Sequence, residues 1–266
     1  MVISTDYPVA LTELPMTSRR VMITGLAAST ALRGATHSGP AEVRGVRAIA
    51  FDAFPIFDPR PIAALARSLV GEPGDLLAST WSIRLFGYTW LSTAARHYED
   101  FATLADAALN ASAESLGVNL SAKDRVQLTS AYAELDAWPD VKPALGRLKE
   151  AGVRLVVLSN LSETALRANI ARAGIDRLFD AVLSTDRVRQ FKPSPDAYQM
   201  VMDTLGLPKA DIGFAAFAGW DAVGASWFGY RTAWINRASA PPEGLEERAG
   251  IVSRDISGAL ALAGLT

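Results

Sequence analysis

Five polar residues stand where short apolar runs of this 266-residue chain end, and together they could carry out a two-step displacement. Asp52 closes "VRAIAFD" (46–52), Ser159 and Asn160 close "VRLVVLSN" (153–160), Lys192 lies in "VRQFKPSPDAY" (188–198), and Asp221 follows "IGFAAFAGW" (212–220). A carboxylate such as Asp52 can displace a leaving group from carbon to form an ester, which water then hydrolyses at the carboxyl carbon. The nucleophile must stay ionised, and a cation a few ångströms away secures that by opposite charge. Lys192 is the candidate cation. A lysine among apolar neighbours wants an anionic anchor of its own, which Asp221 can supply while orienting or deprotonating a water. Ser159 and the adjacent backbone amides can hydrogen-bond Asp52 or a bound carboxylate, which makes Asn160 a candidate binding residue beside them.

The elements that must position these groups follow from periodicity. "VRAIAFD", "VRLVVLSN", "FDAVLST" (179–185), "IGFAAFA" (212–218) and "YRTAWIN" (230–236) are rich in branched and aromatic residues and too short for buried helices, so they predict five strands. Helical segments such as "LSETALRANIARAG" and "SPDAYQMVMDTLG", the latter closed by Gly206, lie between the last four. Alternation of strand and helix predicts a parallel sheet with right-handed crossovers, whose reactive site lies outside the carboxyl ends of the strands. Between the first two strands, residues 60–140 instead carry several amphipathic helices, punctuated by Pro59-Arg60-Pro61 and Trp138-Pro139. The expected fold is α/β, a Rossmann-like parallel sheet core (42–58 and 141–266) with a helical cap (59–140) inserted after the first strand.

Composition narrows the partners. A formal net charge of −2 gives no pull toward nucleic acid or an acidic membrane, leaving a small molecule or a protein. No cysteine is present, which excludes disulfides, thiolate nucleophiles and Cys-ligated metals, and the only histidines are His37 and His97, too few for a multi-His metal site. Near the N-terminus, Arg19-Arg20 followed by the moderately apolar Val21–Leu32 resembles a twin-arginine export signal. Residues 1–41 are thus expected to be such a signal or a disordered extension. Export would place the protein in the periplasm or outside the cell; the alternative is the cytoplasm.

An aspartate and a serine at strand ends, a lysine before a helix and a late aspartate, in that order, resemble the four motifs of the haloacid dehalogenase superfamily. "FDAF", "YTWL", "HYEDF", "LSN", "FKPSPDAYQ" and "GWDAVGASWFGYRTAWINR" resemble its type II, L-2-haloacid dehalogenase group over roughly residues 44–238. The resemblance implies catalytic roles for Asp52, Lys192, Asp221 and Ser159. It further implies substrate contacts from Asn160 and Tyr198 and an apolar pocket wall of Phe54, Phe101 and Trp220, with no cofactor or metal and often a homodimer built on the inserted helices. The implied reaction converts an (S)-2-haloacid and water to an (R)-2-hydroxyacid and halide through an aspartyl ester.

Phosphatases of the superfamily place a second aspartate two residues after the nucleophile to protonate the leaving alkoxide. Here that residue is Phe54, which suits a halide leaving group because halide needs no proton. Asp58 lies beyond a proline-containing turn and reads as a helix N-cap or hinge residue. The chain also departs from the dehalogenase group. Pro55-Ile56 replaces Gly-Thr, Ala216–Ala218 replaces Ser-Ser-Asn, and Ser82 stands where an arginine should follow the Trp81 of the inserted helix. Arg84, two places on and turned by about 200° on a helix, is the remaining candidate for that arginine's role. Two alternatives therefore stay open: an Mg-dependent phosphatase-like hydrolase, and a non-catalytic binding protein on the same scaffold.

Overall fold

The computed structural model describes residues 45–246 and 248–265; the twin-arginine segment and the rest of the 1–41 extension lie outside them. Within the described residues, six parallel strands form one sheet in the order β3-β2-β1-β4-β5-β6. These are β1 (Ala48–Phe51), β2 (Arg154–Ser159), β3 (Ala181–Ser184), β4 (Ile212–Ala216), β5 (Arg231–Ile235) and β6 (Ile251–Ser253). The expected α/β class and five of the strands are present. The sixth went unread because it is three residues long and only partly buried, too short for a period of two to register.

Alternation along β1 divides its side chains between two cores. Ile49 and Phe51 pack with Leu155 and Val157 on one face, while Ala48 and Ala50 face Val156, Leu158 and Phe214 on the other. The small residues of β1 leave room there for α8 (Pro195–Leu205), which brings Tyr198 and Val201 against the sheet. Gly206 ends α8 in the left-handed conformation at φ 62, which a side chain would resist.

The inserted helices are α2 (Arg60–Val70), α3 (Gly74–Ala94), α4 (Phe101–Ser115) and α5 (Ala122–Ser130), preceded by the single turn α1 (Ala53–Ile56). Asp100 caps α4 by accepting the Thr103 N–H at 2.8 Å, and Ser121 with Asp124 forms a capping box on α5. The chain leaves and re-enters the sheet region side by side. Phe57 bridges Ala137, the Asp58 N–H donates to Asp136 O at 2.9 Å, and the Trp138 N–H donates to Ile56 O at 2.9 Å. Arg60 and Arg237 each lie 4.5 Å from the Trp138 ring centroid. Asp58 thus sits at the crossing. Its carboxylate accepts the Arg60 N–H at 2.9 Å, one residue ahead of Pro59, which occupies the N-cap of α2 without a side-chain bond.

Candidate active site

β1 lies between β2 and β4, so the chain leaves the sheet in opposite directions on either side of it, and its carboxyl end opens into the crevice where α/β proteins bind ligands. Asp52 occupies that point. Its N–H continues the ladder to Ala215 O at 3.0 Å, and its side chain accepts from the Phe54 N–H at 3.4 Å as N-cap of α1. Cap and chemical group are the same residue. Ser159 Oγ, at the end of β2, donates to Asp52 Oδ1 at 3.4 Å, and Lys192 Nζ donates to the same oxygen at 2.8 Å.

Lys192 is 1% exposed, and its Nζ also reaches Asp221 Oδ2 at 2.6 Å. The Asn160 side-chain Oδ1 accepts the Lys192 backbone N–H at 3.0 Å, which fixes the lysine's loop to the end of β2. Asp221 lies in the first turn of α9 (Gly219–Phe228), and its Oδ1 accepts the Tyr198 hydroxyl at 2.7 Å. Gly224, one turn further along α9, permits that approach. A Cβ there would lie 2.8 Å from the Tyr198 hydroxyl and 2.7 Å from Pro193 Cβ.

Two carboxylates therefore share one buried ammonium. Burial works against the charged lysine, but Asp221 and Asp52 outweigh it and hold the Lys192 pKa above its ordinary value. Burial, helped by the nearby Asp52 charge, lifts Asp221 to about 6 even though Lys192 and Tyr198 pull it down. Burial first, then Asp221, pushes the Tyr198 phenol well above its usual range, so it remains a neutral donor. A divalent cation fits this arrangement poorly. The ammonium already lies between the two carboxylates, Phe54 stands where a further acid would be needed, and no group of three His, Cys, Asp or Glu side chains converges among the described residues.

Above Asp52 lies a cavity of about 670 Å³ between the strand ends and the inserted helices. Asp52, Ser159, Asn160 and Lys192 form its polar floor; Phe54, Phe101 and Trp220 are among the residues that line it. Four further aromatics, to which the sequence assigned no place in the pocket wall, join them: Phe86, Trp90, Tyr132 and Phe217. Trp220 packs against Phe86 and Trp90 at centroid distances of 5.4 and 5.5 Å, and Phe54 against Phe217 at 5.7 Å. Ser79, Ser82, Phe86 and Trp90 recur at helical spacing, a stripe visible in the sequence once the face of α3 is known. Asn160 Nδ2 is buried without a protein partner.

Two expected substrate contacts are corrected. Arg84 does not line this cavity. It lies on the other side of α3, beside a shallow groove with Thr80, Gly87 and Tyr88, and its Nε donates to Ser112 Oγ at 3.2 Å. Ser82 faces the cavity, so the turn of about 200° to residue 84 carries the guanidinium away. Tyr198 is fully buried behind Asp221 and does not line the cavity either, so its hydroxyl meets a carboxylate and not a ligand. Asp221 is likewise off the cavity wall, and both of its oxygens have protein partners.

Residues 36–214 match the family model for haloacid dehalogenase-like hydrolases. The chain belongs to that family. Among haloacid dehalogenase-like relatives, (S)-2-haloacid dehalogenase 4A of Burkholderia cepacia is 36% identical over 204 residues, 76% of this chain and 87% of the relative. The crystal structure of an L-2-haloacid dehalogenase superposes with a TM-score of 0.80 at 36% identity, covering 83% of this chain and 99% of the other. The Xanthobacter autotrophicus L-2-haloacid dehalogenase with covalently bound chloropropionic acid matches at TM-score 0.74 and 28% identity, covering 81% and 98%.

Proposed function

We propose that this chain hydrolyses the carbon–halogen bond of (S)-2-haloacids, with Asp52 as nucleophile. The observation that carries the reading is a strand-end carboxylate, bonded to Lys192 at 2.8 Å, at the floor of an aromatic cavity. A carboxylate oxygen of Asp52 attacks C2 from the face opposite the halogen, an O–C bond forms, and halide leaves with the bonding pair, inverting C2. Water then attacks Cγ of the ester, the bond from Cγ to the alkoxy oxygen breaks, and the oxygen takes up a proton. The products are the (R)-2-hydroxyacid, halide, one proton and the free Asp52 carboxylate. Halide leaves unprotonated, which matches Phe54 in place of an acid.

Lys192 holds Asp52 in place through its Oδ1, and Ser159 donates to the same oxygen. The aromatic wall removes water from the reacting carbon, which strengthens every charge interaction in the cavity. Asn160 Nδ2 supplies a donor for the substrate's carboxylate or departing halide. Neither alternative gains an observation: Phe54 in place of a second acid counts against a phosphatase, and the intact charge cluster counts against a purely binding role. The test is halide release from 2-chloro- and 2-bromopropanoate, with a single turnover in H₂¹⁸O. Label in Asp52 and none in the product supports the ester; label in the product directly, or undiminished release by Asp52→Asn, overturns it.

The same reading includes a homodimer, supported by Leu76, Ile83 and Leu91, exposed along α3, and tested by sedimentation. It also includes export, supported by Arg19-Arg20 and tested by fusing residues 1–41 to a reporter active only after twin-arginine transport. Among the described residues no helix is long and apolar enough to cross a membrane.

A further inference from the structure

The cavity is unusual for a site that takes a small anion. Among the described residues lining it, Lys192 is the sole cation, and that ammonium is already shared between Asp52 and Asp221. Asp75 on the wall is an anion whose carboxylate is already paired with Arg67, so it brings no cation to the cavity. Ser82 offers a hydroxyl where a guanidinium could have met a carboxylate, and Arg84 is turned away to Ser112. Charge attraction is therefore a weak source of substrate affinity here.

Apolar surface is not weak. A three-carbon haloacid has about six non-hydrogen atoms, whereas cavities of about 300–1,000 Å³ enclose drug-sized ligands. At about 670 Å³, this cavity holds much more than that small acid. The surplus is walled by Phe54, Phe86, Trp90, Phe101 and Trp220, with Ala78 contributing a small side chain beside them. Aromatic walls of this kind suit flat rings and alkyl chains.

Resting on the dehalogenase reading above, we infer that the aromatic space holds the C2 substituent of the substrate, and that this chain acts on 2-haloacids with a large apolar substituent, alkyl or phenyl, in preference to two- and three-carbon haloacids. Burial of that substituent replaces the attraction a guanidinium would supply. It holds the substrate remotely while Asp52 meets C2, so the gain accrues to kcat/KM as a whole.

Two measurements on the wild-type protein test this. Halide release is followed for (S)-2-bromopropanoate, -hexanoate, -octanoate and 2-bromo-3-phenylpropanoate. Binding of the halogen-free acids from propanoate to octanoate is followed by tryptophan fluorescence. Each added methylene is expected to raise kcat/KM and lower Kd about fourfold until the cavity fills. Ala78→Phe is expected to cut the phenyl-to-methyl ratio of kcat/KM at least tenfold. Halide release that is flat or falls with chain length, together with chain-length-independent Kd, overturns the inference and leaves the dehalogenase reading standing. A steep Kd series with no halide release from any bromoacid overturns the dehalogenase reading and supports the assignment of the cavity to large apolar groups.

Discussion

The floor and the roof of the cavity are built on opposite principles. The floor, from the ends of β1 and β2 and the loop before α8, gathers Asp52, Ser159 and Lys192, backed from behind by Asp221 at the start of α9, into a cluster in which every charged group has at least two protein partners. The roof, from α3 and its neighbours, contributes aromatic rings and small hydroxyls, with Asp75 its one charge in the lining. Buried polar networks are costly unless fully satisfied, so the floor tolerates little substitution. Apolar walls are non-directional and absorb changes of shape at lower cost. Chemistry is thus assigned to the rigid floor and selection to the adaptable roof.

The floor is most sensitive at Lys192, which holds both carboxylates. Lys192→Met would leave two buried carboxylates facing each other without the ammonium, an expected stability loss of about 3–5 kcal/mol by denaturant unfolding. Halide release should fall on the order of a thousandfold. A variant as stable and as active as the parent would show that the floor is not the integrated cluster its geometry describes.

Next in size is the effect of pH on Asp221. With its folded pKa raised from 3.8 to about 6, its contribution to stability is fully present below 3.8 and is lost as pH rises through about 6. Activity should move the other way. Protonating Asp221 removes one of the two anions around Lys192, so halide release should fall through an acid limb centred near pH 6. Asp221→Asn should flatten that limb. Tyr198→Phe removes a hydrogen bond that lowers the Asp221 pKa, so the midpoint should shift upward, with a stability loss of about 1–3 kcal/mol. Tyr198 acts through Asp221, and an unmoved midpoint would contradict that placement.

These floor residues were legible in the sequence for a physical reason. Short apolar runs fix where strands end, and parallel sheets put reactive groups at those ends, so Asp52, Ser159 and Asp221 could be located without coordinates. Depth along a helix face is another matter. Tyr198 belongs to an amphipathic helix either way, and only the close approach allowed by Gly224 shows that its hydroxyl ends on Asp221. The roof was least legible because α3 is apolar nearly all round. Trp81 and Leu85 are buried, yet Ile83 is 76% and Leu91 64% exposed, so hydrophobicity alone does not say which face closes the cavity.

Roof substitutions should be milder and should separate KM from kcat. Trp90 is 40% exposed and touches Trp220 edge-on. Trp90→Ala should raise KM for 2-bromo-3-phenylpropanoate about fivefold by lost apolar contact while leaving kcat within about twofold. A drop in kcat with unchanged KM would mean that the roof takes part in positioning Asp52, and the division between floor and roof would fail.

The smallest effect is expected at Arg84, which the sequence leaves as the remaining candidate for an arginine that Ser82 replaces. A guanidinium in the inserted helix is an obvious partner for a substrate carboxylate, but the helical repeat turns residue 84 away from the face that Ser82 and Phe86 present to the cavity. Its Nε donates to Ser112 Oγ at 3.2 Å, linking α3 to α4. Arg84→Ala should therefore cost at most about 1 kcal/mol of stability and leave kcat/KM for 2-bromopropanoate within about twofold. A loss of a hundredfold in kcat/KM would require α3 to rotate by half a turn on binding substrate. The roof would then share the electrostatic work now assigned to the floor.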